Sequence, residues 1–219
     1  MAKIESPFKL LKDYLPEGSF DKVEEYLLFY KVHFTISRAR KTVLGNYKSR
    51  HSNKNHRISV NGNLNKYSFL ITLLHELGHL VAFEKYGAKI LSHGAEWKRE
   101  YGLILHDFVT RGIFPEDIKN ELLQTLKNPA ASSCAEDSLL RVLRRYDPPV
   151  PGVFLVEDLP DETYFVIRGG RLFQKVEKVR KRYLCKDIGN GRMYLFSPVA
   201  EVKVVENYSH SPHNNTYSG

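Results

Sequence analysis

Cysteine is nearly missing from this chain: 219 residues carry two, Cys134 and Cys185. Two thiols cannot build a disulfide scaffold or a four-cysteine metal site, and they suit a reducing, cytoplasmic setting. Long apolar runs are missing too. Apolar stretches stay short, as in Phe69-Leu70-Ile71 and Leu103-Ile104-Leu105, against the roughly 18–20 apolar residues that a membrane-spanning helix needs. No membrane association is expected. Residues 1–16 alternate Lys and Glu with single apolar side chains and lack a continuous apolar stretch, so no signal peptide is expected. The composition is otherwise that of a globular chain, 42% hydrophobic and 26% charged, which excludes disorder throughout, a collagen-like chain and a coiled-coil rod. The length allows one domain or two small ones.

Acidic residues are absent from one whole segment. Residues 31–66 hold nine basic side chains (Lys31, Arg38, Arg40, Lys41, Lys48, Arg50, Lys54, Arg57 and Lys66) and no Asp or Glu. The formal charge of the chain is +8, so everything outside this segment nets to −1. A second block, residues 171–192, has eight basic residues against Glu177 and Asp187. A solvated charged face accounts for either run alone. The two together point to a polyanion, nucleic acid first. Phe34, Tyr47, Phe173, Tyr183 and Tyr194 interleave with them; such aromatics serve base stacking and strand packing equally well.

Along the chain, Ser19 followed by Asp21, Glu24 and Glu25 predicts a helix start, and Phe20, Val23, Leu27, Leu28 and Phe29 carry that helix to about Lys31. Val32, Phe34 and Ile36 then alternate with polar residues. Gly45-Asn46 and the polar run 49–55 read as breaks, and Ile58 and Val60 alternate again before Asn61-Gly62-Asn63. Residues 32–61 are therefore expected to form two or three antiparallel strands. Residues 67–86 return to helical period, with Leu70, Leu73, Leu74, Leu77 and Val81 on one stripe and Gly87 as a stop. Helices are also expected over 94–110, from Pro115 to about Lys127, and from a cap at Ser132 or Ser133 to Tyr146. Asp147-Pro-Pro-Val-Pro-Gly152 is a stiff break and the expected domain boundary. Beyond it, six short strands are expected within 154–205, then a disordered tail over 207–219.

The chemistry lies on the 67–86 helix. His75-Glu76-Leu77-Gly78-His79 is an H-E-x-x-H motif, and residues four apart lie one turn apart on a helix face. Both imidazoles can reach one metal at roughly 2.0–2.1 Å, with Glu76 beside them to hold a water. The apolar stripe falls largely away from 75, 79 and 83, giving the helix a core side and a site side. A catalytic zinc needs a third ligand. Residues 80–85 lack the glycine and histidine of the metzincin pattern. Glu96 and Glu100 on the next helix stay in view, and His93 at its start is the better candidate. The 13 residues between His79 and His93 allow a helix end at Gly87 and a turn back. His106 reads as a core or surface residue, and both cysteines as plain buried ones.

H-E-x-x-H, a short turn, then His93-Gly94-Ala95-Glu96-Trp97-Lys98 resembles the SprT-like family of zinc metalloproteases, which includes Spartan-type DNA–protein crosslink proteases. The upstream residues, Arg40-Lys41 through Leu44-Gly45 and Tyr47 to Ile58-Ser59-Val60-Asn61, resemble the family's approach to its zinc helix. The resemblance covers residues 20–110. It implies His75, His79 and His93 as ligands of one zinc per chain and Glu76 as catalytic base. It implies an α+β architecture: a zincin-like metalloprotease domain with a small antiparallel sheet over 1–147, then a small all-β module over 150–206. Relatives often carry a zinc ribbon there. Only Cys185 remains of its ligands, so the module is expected to resemble a metal-free ribbon. The implied activity is a zinc metalloendopeptidase acting on DNA-associated proteins, with DNA held by segments 31–66 and 171–192. The competing readings are a nucleic-acid-binding protein with a structural or vestigial zinc site, and a metal-dependent hydrolase of a small substrate. Oligomeric state is left open.

Overall fold

The computed structural model describes residues 8–40, 42–50, 54–126 and 136–205. The expected cap at Ser132 or Ser133, Cys134 and the 207–219 tail lie outside them. The chain divides into two compact units, Met1–Asp147 and Pro148–Gly219. Together they are a mixture of helices and sheets.

The first unit starts with a 3₁₀ turn over Lys9–Tyr14 and α1 over Phe20–Phe29. Phe20, Val23 and Leu27 recur at three-to-four spacing and are buried together. Ser19 precedes α1 without capping it: its hydroxyl donates to the Pro16 carbonyl at 2.7 Å. Three strands follow, β1 (His33–Ser37), β2 (Gly45–Lys48) and β3 (Arg57–Asn61), ordered β1-β3-β2. This corrects the expected antiparallel sheet. β2 pairs antiparallel with β3, but β1 pairs parallel with β3, Phe34 opposite Ile58. Parallel partners need a crossover of about a dozen residues or more, and residues 38–56 supply it by swinging out through β2. Gly45-Asn46, read as a break, starts that strand.

α2 (Lys66–Tyr86) is buried nearly all round rather than along one stripe. Phe69, Leu70, Ile71, Leu73, Leu74, Leu77 and Leu80 are all sealed from solvent, since β2 and β3 pack on α2 and so does α3 (Ala95–Thr110). The expected site side is therefore itself inside: His75 and Glu76 are 5% and 6% exposed. Asn65 caps α2 by accepting from the Ser68 N–H at 2.9 Å, and Gly87 ends it at φ +81°. α3 comes very close at Gly78, where an added Cβ would lie 2.9 Å from Tyr101 Cβ and 3.2 Å from Trp97 Nε1. α4 (Glu116–Thr125) and α5 (Asp137–Arg144) complete the unit.

The second unit is one six-stranded antiparallel sheet: β4 (Val153–Leu155), β5 (Tyr164–Val166), β6 (Leu172–Val179), β7 (Arg182–Asp187), β8 (Met193–Phe196) and β9 (Glu201–Val204), in the order β4-β9-β5-β6-β7-β8. Val156, Phe165, Phe173, Cys185 and Val202 form its core. Part of the 171–192 charge is used internally. Arg171 pairs with Asp187 and stacks on Phe173 and Tyr194, while buried Lys175 donates to the Leu159 carbonyl. Lys178, Arg180, Lys181, Arg182, Lys186 and Arg192 remain exposed. No helix among the described residues is long and apolar enough to cross a membrane.

Candidate metal centre

The helical spacing of His75 and His79 puts their rings 5.1 Å apart along α2. Past Gly87 the chain turns and presents His93 just before α3. Its Nε2 lies 3.0 Å from His79 Nε2 and 3.3 Å from His75 Nε2. Four-coordinate ligation at about 2.0–2.1 Å separates donor nitrogens by roughly 3.3–3.4 Å, so the three imidazoles fit one tetrahedral ion with a fourth position left over. One proton on His93 Nε2 cannot serve both neighbours, so the cluster is poorly satisfied as a hydrogen-bonded set alone. Burial, then mutual proximity, pushes His75 down to about 3 and His79 down to about 4, and burial lowers His93 as well. Neutral imidazoles are the form a metal needs.

Of the other candidates, Glu100 is not with the histidines. It is buried in a clamp between α2 and α3, taking Lys85 Nζ at 2.5 Å and the Tyr86 hydroxyl at 2.9 Å. Glu96 is half-buried and outside the three-histidine group, and His106 is exposed.

Glu76 reaches the other side of the cleft, against β2. Its carboxylate faces the backbone N–H of Tyr47. Burial raises its pKa to about 7, opposed by that N–H and by Arg40. The guanidinium of Arg40 fixes the loop before β2, donating to Asn61 Oδ1 at 2.8 Å, Ser59 Oγ at 3.0 Å and the Leu44 carbonyl at 3.2 Å. The strand edge, the three histidines, Glu76 and Ser92 line an open cleft of about 420 Å³.

Trp97 is a site residue that sequence reasoning missed. Its ring lies 4.7 Å from His75, 5.3 Å from His79 and 4.7 Å from His93 by centroids, forming an apolar support for all three imidazoles. The sequence signal was present: Trp97 stands four residues after His93, one turn into α3. The basic residues of 31–66 divide. Arg40 is spent on the fold, and Arg50 pairs with Glu84 at 3.2 Å. Lys48, Lys54 and Arg57 are exposed and have no carboxylate partner among the described residues.

No curated protein and no solved structure matched the chain. Residues 9–108, the span from the first 3₁₀ turn into α3 that contains the three histidines, Glu76 and Trp97, match the model of the SprT-like family.

Proposed function

We propose that the chain is a zinc-dependent metalloendopeptidase of zincin-like type that acts on proteins associated with DNA. The observation that carries this reading is the convergence of three imidazole nitrogens within 4.8 Å of one another in a cleft that also holds Glu76. His75, His79 and His93 would hold one zinc, which when bound polarises a scissile carbonyl and acidifies a water. Glu76 would take that water's proton and pass it to the leaving amine. β2 is an edge strand along the cleft, and Leu44 uses its carbonyl to bond Asn61 of β3. By antiparallel alternation Gly45 and Tyr47 turn their backbone groups away from β3; with the Tyr47 N–H facing Glu76, the Gly45 groups and the Tyr47 carbonyl are where an extended peptide could align.

The DNA part rests on charge. The pairing register sets His33, Arg57 and Lys48 abreast across β1, β3 and β2, all exposed. Like charges directly opposite are unfavourable in a sheet unless an anion covers them. Thr35, Ser59 and Asn46 form the next row on that face and offer donors suited to phosphate oxygens. A shallow pocket joins Lys48 and Arg57 to His79 and Ser92, so a phosphate backbone on this row would lie beside the cleft. The exposed cations of β6 and β7 would add contacts.

The test is Glu76→Gln assayed on a DNA-bound and a free protein. The variant should keep one zinc per chain and lose cleavage of the DNA-bound substrate. If wild type and variant are equally inert on both, the peptidase reading fails and a structural or vestigial zinc site in a nucleic-acid-binding protein takes its place. Cleavage of small esters but not peptides would favour the small-substrate hydrolase. DNA affinity should fall steeply with salt; a flat salt dependence removes the DNA part alone.

A further inference from the structure

We infer that Tyr47 is the positioning residue of this cleft, setting Glu76 and His79 relative to each other, and that His56 and Glu84 hold Tyr47 in place. The inference rests on the metal reading above. Tyr47 meets both groups at once. Its backbone N–H faces the Glu76 carboxylate closely enough to lower that group's pKa. Its ring lies nearly parallel to the His79 imidazole, 2° between planes and 6.3 Å between centroids.

The hydroxyl of Tyr47 is anchored away from these two. It lies 2.9 Å from His56 Nδ1. The backbone N–H of Arg50 also points to that nitrogen, at 3.3 Å. A backbone N–H can only donate, so Nδ1 is the acceptor and the proton of the neutral ring sits on Nε2. Tyr47 therefore donates its hydroxyl proton to Nδ1. Glu84 Oε1 lies 3.1 Å from Nε2 and 3.2 Å from Nε of Arg50, close enough for electrostatic attraction but without hydrogen-bond geometry. The result is a chain of contacts, a hydrogen bond from phenol to imidazole and then an electrostatic contact from imidazole to carboxylate, tied to the C-terminal part of α2 and to the loop after β2.

Simple packing does not require this chain. Phenylalanine would fill the same space, and His56 is 3% exposed, so its two nitrogens must be satisfied at a cost in organisation. What the chain adds is a fixed tilt for the Tyr47 ring. A fixed ring restricts the plane of His79, hence the direction of its Nε2, while the same residue's N–H restricts Glu76. Supports outside the ligand set tune metal sites in this way.

The test uses the full chain with Tyr47→Phe, which keeps the ring and loses the anchor, and Glu84→Ala, which removes the far end of the chain without touching His79. Zinc affinity is measured by competition with a chromophoric chelator, and the Co²⁺-loaded protein is examined by visible absorption. Both variants should shift the Co²⁺ band and weaken zinc by about 10-fold, the lower end of what supporting partners contribute. Tyr47→Leu should shift the band further. A merely structural role would lower the melting temperature of the metal-free protein and leave band and affinity as in wild type; that result overturns the inference. A wild type that takes up neither ion overturns the metal reading and this inference with it, whereas a wild-type spectrum retained in every variant overturns this inference alone.

Discussion

The Cβ that Gly45 lacks would sit 2.5 Å from Oε1 of Glu76. Thr72 Cγ2 would be 2.7 Å away and Glu76 Cγ 2.9 Å away. Thr72 is fully buried on α2 and cannot yield, so either β2 or the Glu76 carboxylate would have to move. Strand β2 can lie against the proposed base because position 45 carries no side chain.

Gly45→Ala is accordingly expected to push β2 from α2. Overpacking of this kind costs about 1–3 kcal/mol, and displacing Glu76 by about 1 Å can cost on the order of 100-fold in rate. The control is Gly102→Ala. Position 102 lies in α3 with nothing within 4 Å of an added Cβ, so this change should stabilise by roughly 0.4–1 kcal/mol through helix propensity and chain entropy. Denaturation curves and peptide cleavage of the two variants check this. Equal behaviour would mean that β2 does not depend on the close approach.

Trp97 supplies an intrinsic reporter, since it is the sole tryptophan and packs on all three histidines. Titrating chelator-stripped protein with Zn²⁺ should change its fluorescence with an endpoint of one ion per chain, and paramagnetic Co²⁺ should quench it. His93→Ala should weaken zinc by more than about 100-fold, because supporting residues alone contribute roughly 10–100-fold. Binding that survives in His93→Ala at wild-type strength would remove His93 from the ligand set.

Some of this was legible in the chain because the signals are local. The four-residue spacing of His75 and His79, the Gly87 stop and the length of the 80–92 connection were enough to bring His93 into view. The strand-like runs beyond Gly152, separated by Gly, Asp and Pro turns, likewise marked six strands, because turn residues punctuate an antiparallel sheet locally. Pairing was not legible. Val32, Phe34 and Ile36 declare a strand, but nothing in them declares that β1 lies parallel to β3. Burial of α2 on all sides was hidden for the same reason, since an apolar stripe shows one packed face and not how many neighbours arrive. Gly45 looked like a break when it marks a close approach, a known alternative for glycine in a strand. Trp97 looked like one more apolar residue of α3 because helical period does not distinguish a core position from one beneath a cluster of imidazoles.

The N-terminus of α2 offers a stability test. Asn65 Oδ1 caps Ser68 N–H, while Nδ2 donates to the Leu143 carbonyl at 3.1 Å and to Asp147 Oδ1 at 2.7 Å. Asn65→Ala loses all three and should destabilise the first unit by about 1–2 kcal/mol. Asp ordinarily caps as well as Asn, but Asn65→Asp would set a carboxylate against Asp147 and the Leu143 carbonyl. It should therefore be less stable than wild type. An Asp variant equal to wild type would mean that the amide donors contribute nothing.

Asp117 makes the first unit sensitive to acid. Its Oδ1 accepts from the Tyr146 hydroxyl at 2.7 Å and from the Ile118 N–H at 2.9 Å, and Arg145 lies 3.5 Å from Oδ2. The Tyr146 bond is the main cause that holds this carboxyl below its ordinary range, and the same bond pushes Tyr146 up to about 12. The folded chain thus binds the Asp117 proton more weakly than the unfolded chain does. Its contribution to stability is fully present above the unfolded value of about 4 and is lost as pH falls through the lower folded value. Asp117→Asn lacks the charge at every pH. Denaturation of metal-free protein, followed by Trp97 fluorescence, should show the variant less stable than wild type at pH 6, with the gap closing as pH falls below 4. A gap that stays constant over that range would assign the cost of the substitution to lost hydrogen-bond geometry and not to the carboxylate charge.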